Sequence, residues 1–156
     1  MIYTIKAIPT VYNNVQFRSR LEARWAAFFD LSGIEWDYEP FDLEGWTPDF
    51  LLRASGVDML SEVKPIDFTR DLDTEGAEAC EKAILHRERY NIVLLGVSPI
   101  SDNSIGVPIE RCPVAGVKRS IEKWRLAGNE VQWLPDEQPE ETYHDQLRRI
   151  FKRRAA

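Results

Sequence analysis

The chain has 156 residues, 44% of them hydrophobic and 11% aromatic, and its five tryptophans exclude a disordered chain and suit one domain spanning 1–156. A net charge of −6 argues against a protein that coats nucleic acid by charge alone. Apolar runs such as Ile92–Val97 are too short for a bilayer, and no basic segment followed by an apolar one opens the chain, so a cytoplasmic protein with no membrane partner is expected.

The first element is "FRSRLEARWAAFFDLSG". Phe17, Leu21, Trp25, Phe28 and Leu31 recur at helical spacing and form one apolar stripe, with Gly33 as the C-cap. "IEWDYEP" alternates Ile34, Trp36 and Tyr38 with acids, which predicts a half-buried strand ended by Pro40. "TPDFLLR" and "VDMLSEVK" read as two strands separated by "ASG", the second closed by Pro65. A helix is predicted from about Thr74 to Tyr90, with Asp73 or Thr74 as its N-cap. "NIVLLGV" reads as a strand buried on both faces. A turn-rich stretch follows, with a short strand expected at Ile105–Ile109. "VAGVKRSIEKWRLAG" predicts a helix ending at Gly128, "NEVQWLP" a last strand, and about 140–154 a basic terminal helix. Cys80 and Cys112 form no metal-ligand cluster; reduced thiols are expected, with a disulfide between them as the alternative. The order is that of an α/β core, a mixed sheet with helices on both faces.

Charge is unevenly placed. Eight acids and one base, Arg53, lie between Glu35 and Glu62, whereas Arg148–Arg154 carries five bases and no acid. The basic tail is either a solvated helix end or a phosphate-contacting arm of Arg148, Arg149, Lys152, Arg153 and Arg154. Arg18 and Arg20 are further candidates for backbone phosphates of DNA.

The strand pair 49–64 carries the chemistry. A two-residue turn at Ser55–Gly56 sets Ala54 against Val57 and Arg53 against Asp58, so Asp49 falls opposite Glu62. Alternation then puts Glu62 and Lys64 on one face. Like charges set opposite each other destabilise a sheet, so compensation is required. Lys64 supplies one positive charge and a hard cation, Mg²⁺ with Mn²⁺ as substitute, supplies the rest through oxygen ligands. No histidine or cysteine is near in sequence, which disfavours zinc. Glu22, at the margin of the first helix's stripe and one turn from Arg18, is placed to complete the acidic pocket. Such a site suits phosphodiester hydrolysis, with Lys64 orienting water or stabilising developing charge.

"PD" at Pro48–Asp49 followed by "EVK" at Glu62–Lys64 resembles the PD-(D/E)XK nuclease superfamily. Over Phe17–Pro65 the chain is similar to small phage-type nucleases of that superfamily and to the endonuclease subunit of cut-and-paste transposition systems. The resemblance implies a restriction-endonuclease-like core with a mixed four- to five-stranded sheet flanked by helices. It implies Asp49, Glu62, the Val63 carbonyl and Glu22 around the metal, and Lys64 as the catalytic lysine. Some members add a polar residue on the following helix, where this chain offers Glu78, Lys82 and His86. It further implies DNA as substrate, a role in phage or mobile-element DNA processing or recombination, and assembly as a homodimer or within a larger complex. His86 and His144 read as helix-surface residues. Trp36, Tyr38 and Trp46 read as packing rather than a base-stacking platform. Two alternatives stay open: an inactive nuclease-like fold used for nucleic-acid binding or assembly, and a nuclease directed at RNA.

Overall fold

The computed structural model describes residues 8–70, 81–109 and 117–131. Asn13 and Asn14 both take positive φ, 48° and 62°, as a primed two-residue turn requires. They close a hairpin of β1 (Thr10–Tyr12) and β2 (Val15–Phe17). This hairpin is absent from the expected element order, although Asn-Asn between two strand-favouring triplets carries its signal. Phe17 therefore belongs to β2 and not to the helix. The helix α1 (Arg20–Leu31) starts at Ser19, whose extended backbone and side-chain oxygen, accepting the Glu22 N–H at 3.1 Å, make it the N-cap.

The far end of α1 follows the expectation for Gly33. Its φ is +70°, Gly33 N–H bonds to Asp30 O at 3.2 Å and Ile34 N–H to Phe29 O at 2.9 Å, which is a Schellman closure. Leu31 departs from the expected apolar stripe and is exposed, because the chain turns off the sheet there. Ala23, Trp25, Ala26, Ala27, Phe28 and Phe29 are all buried. So wide a face is buried because α1 packs on the sheet and also against α2 (Ser120–Glu130), with the Trp25 and Trp124 rings 4.5 Å apart.

The main sheet is mixed and five-stranded, in the order β3 (Glu35–Tyr38), β4 (Phe50–Ala54), β5 (Val57–Val63), β6 (Asn91–Leu95), β7 (Val107–Pro108). Neighbours are antiparallel except β5 and β6, which run parallel. The fold is thus α/β with a mixed sheet. Ser55 and Gly56 take φ of 51° and 75°, and Arg53 pairs with Asp58 and Ala54 with Val57, the register expected from the turn. Phe50, Leu52, Met59, Val63, Val93 and Leu95 face the helices, and Leu60, Ile92 and Leu94 face the other layer. β6 is buried on both sides, as its continuous apolar run requires.

Three expectations are corrected in the second half of the chain: the end of the Thr74–Tyr90 helix, the end of the helix at Gly128 and the strand at 105–109. Both described α-helices share one face of the sheet, and residues 74–80 of the helix expected on the other face lie outside the described residues. The opposite face is covered by Trp46, Ile66, Phe68 and a single 3-10 turn at Ala83–His86. That turn stands where the end of the Thr74–Tyr90 helix is expected. Only Ala83 and Ile84 reach the core there, and the charged run that follows offers no apolar residue to seat another α-turn. Gly128 does not end its helix, which continues to Glu130 through Asn129, two residues expected in a strand. Gly128 instead leaves room for the Arg24 guanidinium, which donates to Trp124 O at 2.7 and 3.0 Å and lies 4.2 Å over the Trp124 ring. Asp102 caps this helix from a distant turn, accepting the Ser120 and Ile121 N–H groups. The strand expected at 105–109 is shortened to Val107–Pro108.

Residues 71–80, Cys112 and the tail expected as a helix at 140–154 lie outside the described residues. Among the described residues no helix is long and apolar enough to cross a membrane.

Ser61 is fully buried between Phe50 and Val93, and its hydroxyl has no partner. An unpaired buried hydroxyl costs about 1–3 kcal/mol. Ser61→Ala is therefore expected to leave stability unchanged or raise it by about 1 kcal/mol in urea unfolding; a loss of that size would show that the hydroxyl has a partner.

Candidate functional site

The connection between β3 and β4 brings Asp49 to one end of the sheet. Within it Leu43 and Trp46 exchange backbone hydrogen bonds of 2.8 and 3.1 Å around Glu44–Gly45, with Gly45 at φ +73°. This tight turn sends the Trp46 ring inward, where it is buried. The regular β4–β5 pairing ends at Phe50 and Ser61, one position short of Asp49. Asp49 N–H still bonds to Ser61 O at 2.9 Å. Its carboxylate then accepts the Val63 N–H at 2.7 Å, so a side chain serves where a strand carbonyl would otherwise continue the ladder.

Glu62 and Lys64 lie on one face of β5 and its extension, as alternation requires. Lys64 Nζ is 3.0 Å from Glu62 Oε1, and Trp46 Nε1 donates to Glu62 Oε2 at 2.7 Å. Glu22 approaches from the first turn of α1. Ser19 and Glu22 have the spacing of a capping box, yet the Glu22 carboxylate accepts the Tyr38 hydroxyl instead. The same hydroxyl accepts the Arg18 N–H at 3.2 Å. The Arg18 guanidinium lies 2.5 Å from Glu39 Oε1 and 3.4 Å from Asp49 Oδ1, with its side chain 63% exposed at the mouth.

These groups border one open cleft of about 550 Å³, lined by Glu22, Asp49, Glu62, Val63, Lys64, Arg18 and Trp46, with Glu81 and Lys82 opposite. The residues expected at the site are thus brought together. Arg20 is exposed on α1 and does not line the cleft. His86 does not line it either. Its ring stacks on Trp46 with centroids 5.9 Å apart, and its Nε2 is 2.9 Å from Glu44 O. Arg148, Arg149, Lys152, Arg153, Arg154, Glu78 and His144 lie outside the described residues. Trp46, Tyr38 and Glu81 are site residues that sequence reasoning misses; "GWTPD", with an indole three positions before the acid, is the one local signal.

Asp49 is only 5% exposed. Burial, then the charges of Glu62 and Glu22, push its carboxyl up to about 8, against the pull of the Val63 N–H and Arg18. Burial also raises Glu22, opposed by the Tyr38 hydroxyl and Arg18. The cleft thus concentrates carboxylates that its own cations only partly satisfy.

Among the described residues, no three His, Cys, Asp or Glu side chains gather closely enough to hold one ion. A caged Ca²⁺ or Zn²⁺ does not fit. Two carboxylates with room for water and phosphate do fit Mg²⁺, which keeps several waters and uses one or two carboxylates. Asp49 and Glu62 would be that pair. Glu22 borders the same cleft but is turned to Tyr38.

No protein-family model, curated protein or solved structure matches this chain.

The raised Asp49 carboxyl has a pH consequence. The folded state keeps the proton that the unfolded chain releases above about 3.8, so stability falls as pH rises from there to about 8. Asp49→Asn keeps an oxygen for the Val63 N–H and removes the charge. In the metal-free protein it is expected to stabilise by on the order of 2 kcal/mol at pH 8 and by progressively less toward pH 4. Chelator-treated thermal melts across that range check this; a variant destabilised at pH 8 would refute it.

Proposed function

We propose that the cleft is the active site of a Mg²⁺-dependent nuclease of the PD-(D/E)XK type that hydrolyses phosphodiester bonds in DNA. One observation carries the reading. Two carboxylates from facing strands, Asp49 and Glu62, and the ammonium of Lys64 border one open cleft where burial leaves Asp49 short of positive charge. A structural ion pair needs no such opening, and a routine strand face does not bury an acid this deeply.

Asp49 and Glu62 would hold the cation, which when bound polarises a phosphoryl oxygen and acidifies a water. The protein's own groups do the remainder. Val63 N–H fixes the Asp49 carboxylate by one oxygen. Lys64, a compact charge on a flexible stem, is held beside Glu62 and can donate to the attacking water or to a non-bridging phosphate oxygen. Hydrolysis adds the water oxygen to phosphorus, breaks the ester bond and delivers the water's proton to the departing hydroxyl. Arg18 and Lys82 at the rim are placed for flanking phosphates. An endonuclease in phage or mobile-element DNA processing is the setting the sequence resemblance favours, with a homodimer or larger assembly as its form.

A second reading is a nuclease-like fold that binds nucleic acid without cutting it. It is favoured by the fact that both Glu62 oxygens and both Asp49 oxygens already have protein partners. The two readings part on metal dependence. For the nuclease, millimolar Mg²⁺ or Mn²⁺ raises the melting temperature by several degrees, and Asp49→Asn abolishes the rise. Plasmid DNA is then cut in Mg²⁺, and Lys64→Ala lowers the rate at least 100-fold. RNA assayed in parallel separates the two substrates. Absence of cleavage in Mg²⁺ and Mn²⁺, with no thermal shift, would leave the binding reading.

A further inference from the structure

We infer that Trp46 is a positioning residue for Glu62. Its indole N–H aims the Glu62 carboxylate into the cleft beside Asp49, and His86 holds the indole for that task. The inference rests on the metal-site reading above and deepens it.

A tryptophan used only for packing can give its N–H to a backbone carbonyl. Trp25 does so, donating to Gly96 O at 2.9 Å. Trp46 gives its N–H to a cleft carboxylate at 2.7 Å, a charge-assisted bond of the stronger class. The terminal torsion of a glutamate is otherwise broad. With Trp46 on Oε2 and Lys64 on Oε1 at 3.0 Å, rotation of the Glu62 carboxylate is stopped at both oxygens.

The chemistry of the donor matters. An indole N–H is neutral, so it orients the carboxylate without cancelling its charge. Each carboxylate oxygen accepts more than one bond, so one site on Oε2 stays open to a cation. An arginine or lysine at position 46 would orient Glu62 equally well and compete with that cation. The indole is itself held against rotation. One side is fixed by the Leu43–Trp46 turn, the other by the His86 ring at 5.9 Å. His86 Nε2, 2.9 Å from Glu44 O, ties the ring back to that same turn. A residue 24 positions beyond Glu62 in sequence (86 against 62) is thereby connected to its carboxylate through one side chain.

The test uses ¹⁵N-labelled protein and Mg²⁺ as the probe. The Trp46 indole resonance is assigned by its loss in Trp46→Phe. It is expected downfield in the wild type, to move upfield in Glu62→Gln, and to shift when Mg²⁺ is added. Trp46→Phe keeps the ring and removes the donor. It is expected to bind Mg²⁺ about tenfold more weakly with its amide spectrum otherwise preserved. His86→Ala is expected to weaken binding about threefold. Unchanged Mg²⁺ affinity in Trp46→Phe, or an indole resonance indifferent to Glu62→Gln, would overturn the inference. Should Trp46→Phe fail to fold, the indole resonance is assigned in the wild type from Phe substitutions of the other tryptophans, and the comparison of wild type with Glu62→Gln decides it. Mg²⁺ binding without cleavage of any nucleic acid removes the nuclease reading and leaves the positioning role standing. A wild type that binds no Mg²⁺ removes both.

Discussion

The bond from the Val63 amide to the Asp49 carboxylate holds the site and the sheet in one piece. It extends the β4–β5 pairing past the last regular pair, so the fold needs an acceptor at that point. The acceptor is an acid that burial makes reluctant to ionise. An asparagine would satisfy the amide with no such conflict. The sheet therefore accepts an acid where a neutral acceptor would serve, the feature on which the proposed function draws. The remaining cleft geometry follows from this placement. Glu62 is one residue from Val63, Lys64 follows it, and Tyr38 and Glu39 reach the same corner because Glu39 N–H bonds to Asp49 O at 2.8 Å.

Turns and caps deliver the other groups. Ser55–Gly56 sets the strand register, Glu44–Gly45 swings Trp46 inward, and Ser19 starts α1 so that Glu22 and Arg18 face the sheet's end. Each device is local and short. Their products meet because α1 is pinned near its middle, by Trp25 to Gly96 O, by the Trp25 ring against Trp124, and by Arg24 lying against Gly128. Gly96 belongs to the same logic. A Cβ there would run into the Ile66 backbone oxygen and lie 2.8 Å from the Phe68 ring, so the chain leaving β6 passes directly beneath the segment after Lys64.

What could be read from sequence was what period and turn chemistry control. The β4–β5 register followed from one Ser-Gly turn, and the double burial of β6 from its unbroken apolar run. The Schellman end of α1 followed from Gly33. The N-terminal hairpin was missed although Asn13–Asn14 signalled it, because three-residue strands carry too little alternation to stand out. The 3-10 turn at Ala83–His86 and the extension of α2 past Gly128 were illegible for another reason. The first depends on which of its residues, Ala83 and Ile84, reach the core of the folded sheet, and the second involves Arg24, which lies against Gly128. The same limit hid Trp46. Its indole looks like core in sequence, and only the fold shows that its N–H meets a carboxylate.

On the proposed reading, electrostatics would reconcile an acidic chain with a polyanionic substrate. The cleft is bordered by Glu22, Asp49, Glu62 and Glu81 and by Arg18, Lys64 and Lys82. Burial and the neighbouring acids hold Asp49 toward its protonated form, which brings the acids of the cleft closer to balance with its bases. On the proposed reading, a divalent cation displaces that proton and brings two charges in exchange for one. The cleft would then turn net positive. Affinity for nucleic acid is in that case conditional on the metal, and the overall charge of −6 protects against unproductive binding when the metal is absent. A fixed basic groove would bind the polyanion at all times. An acidic floor whose sign depends on a cation ties binding to the state that can react.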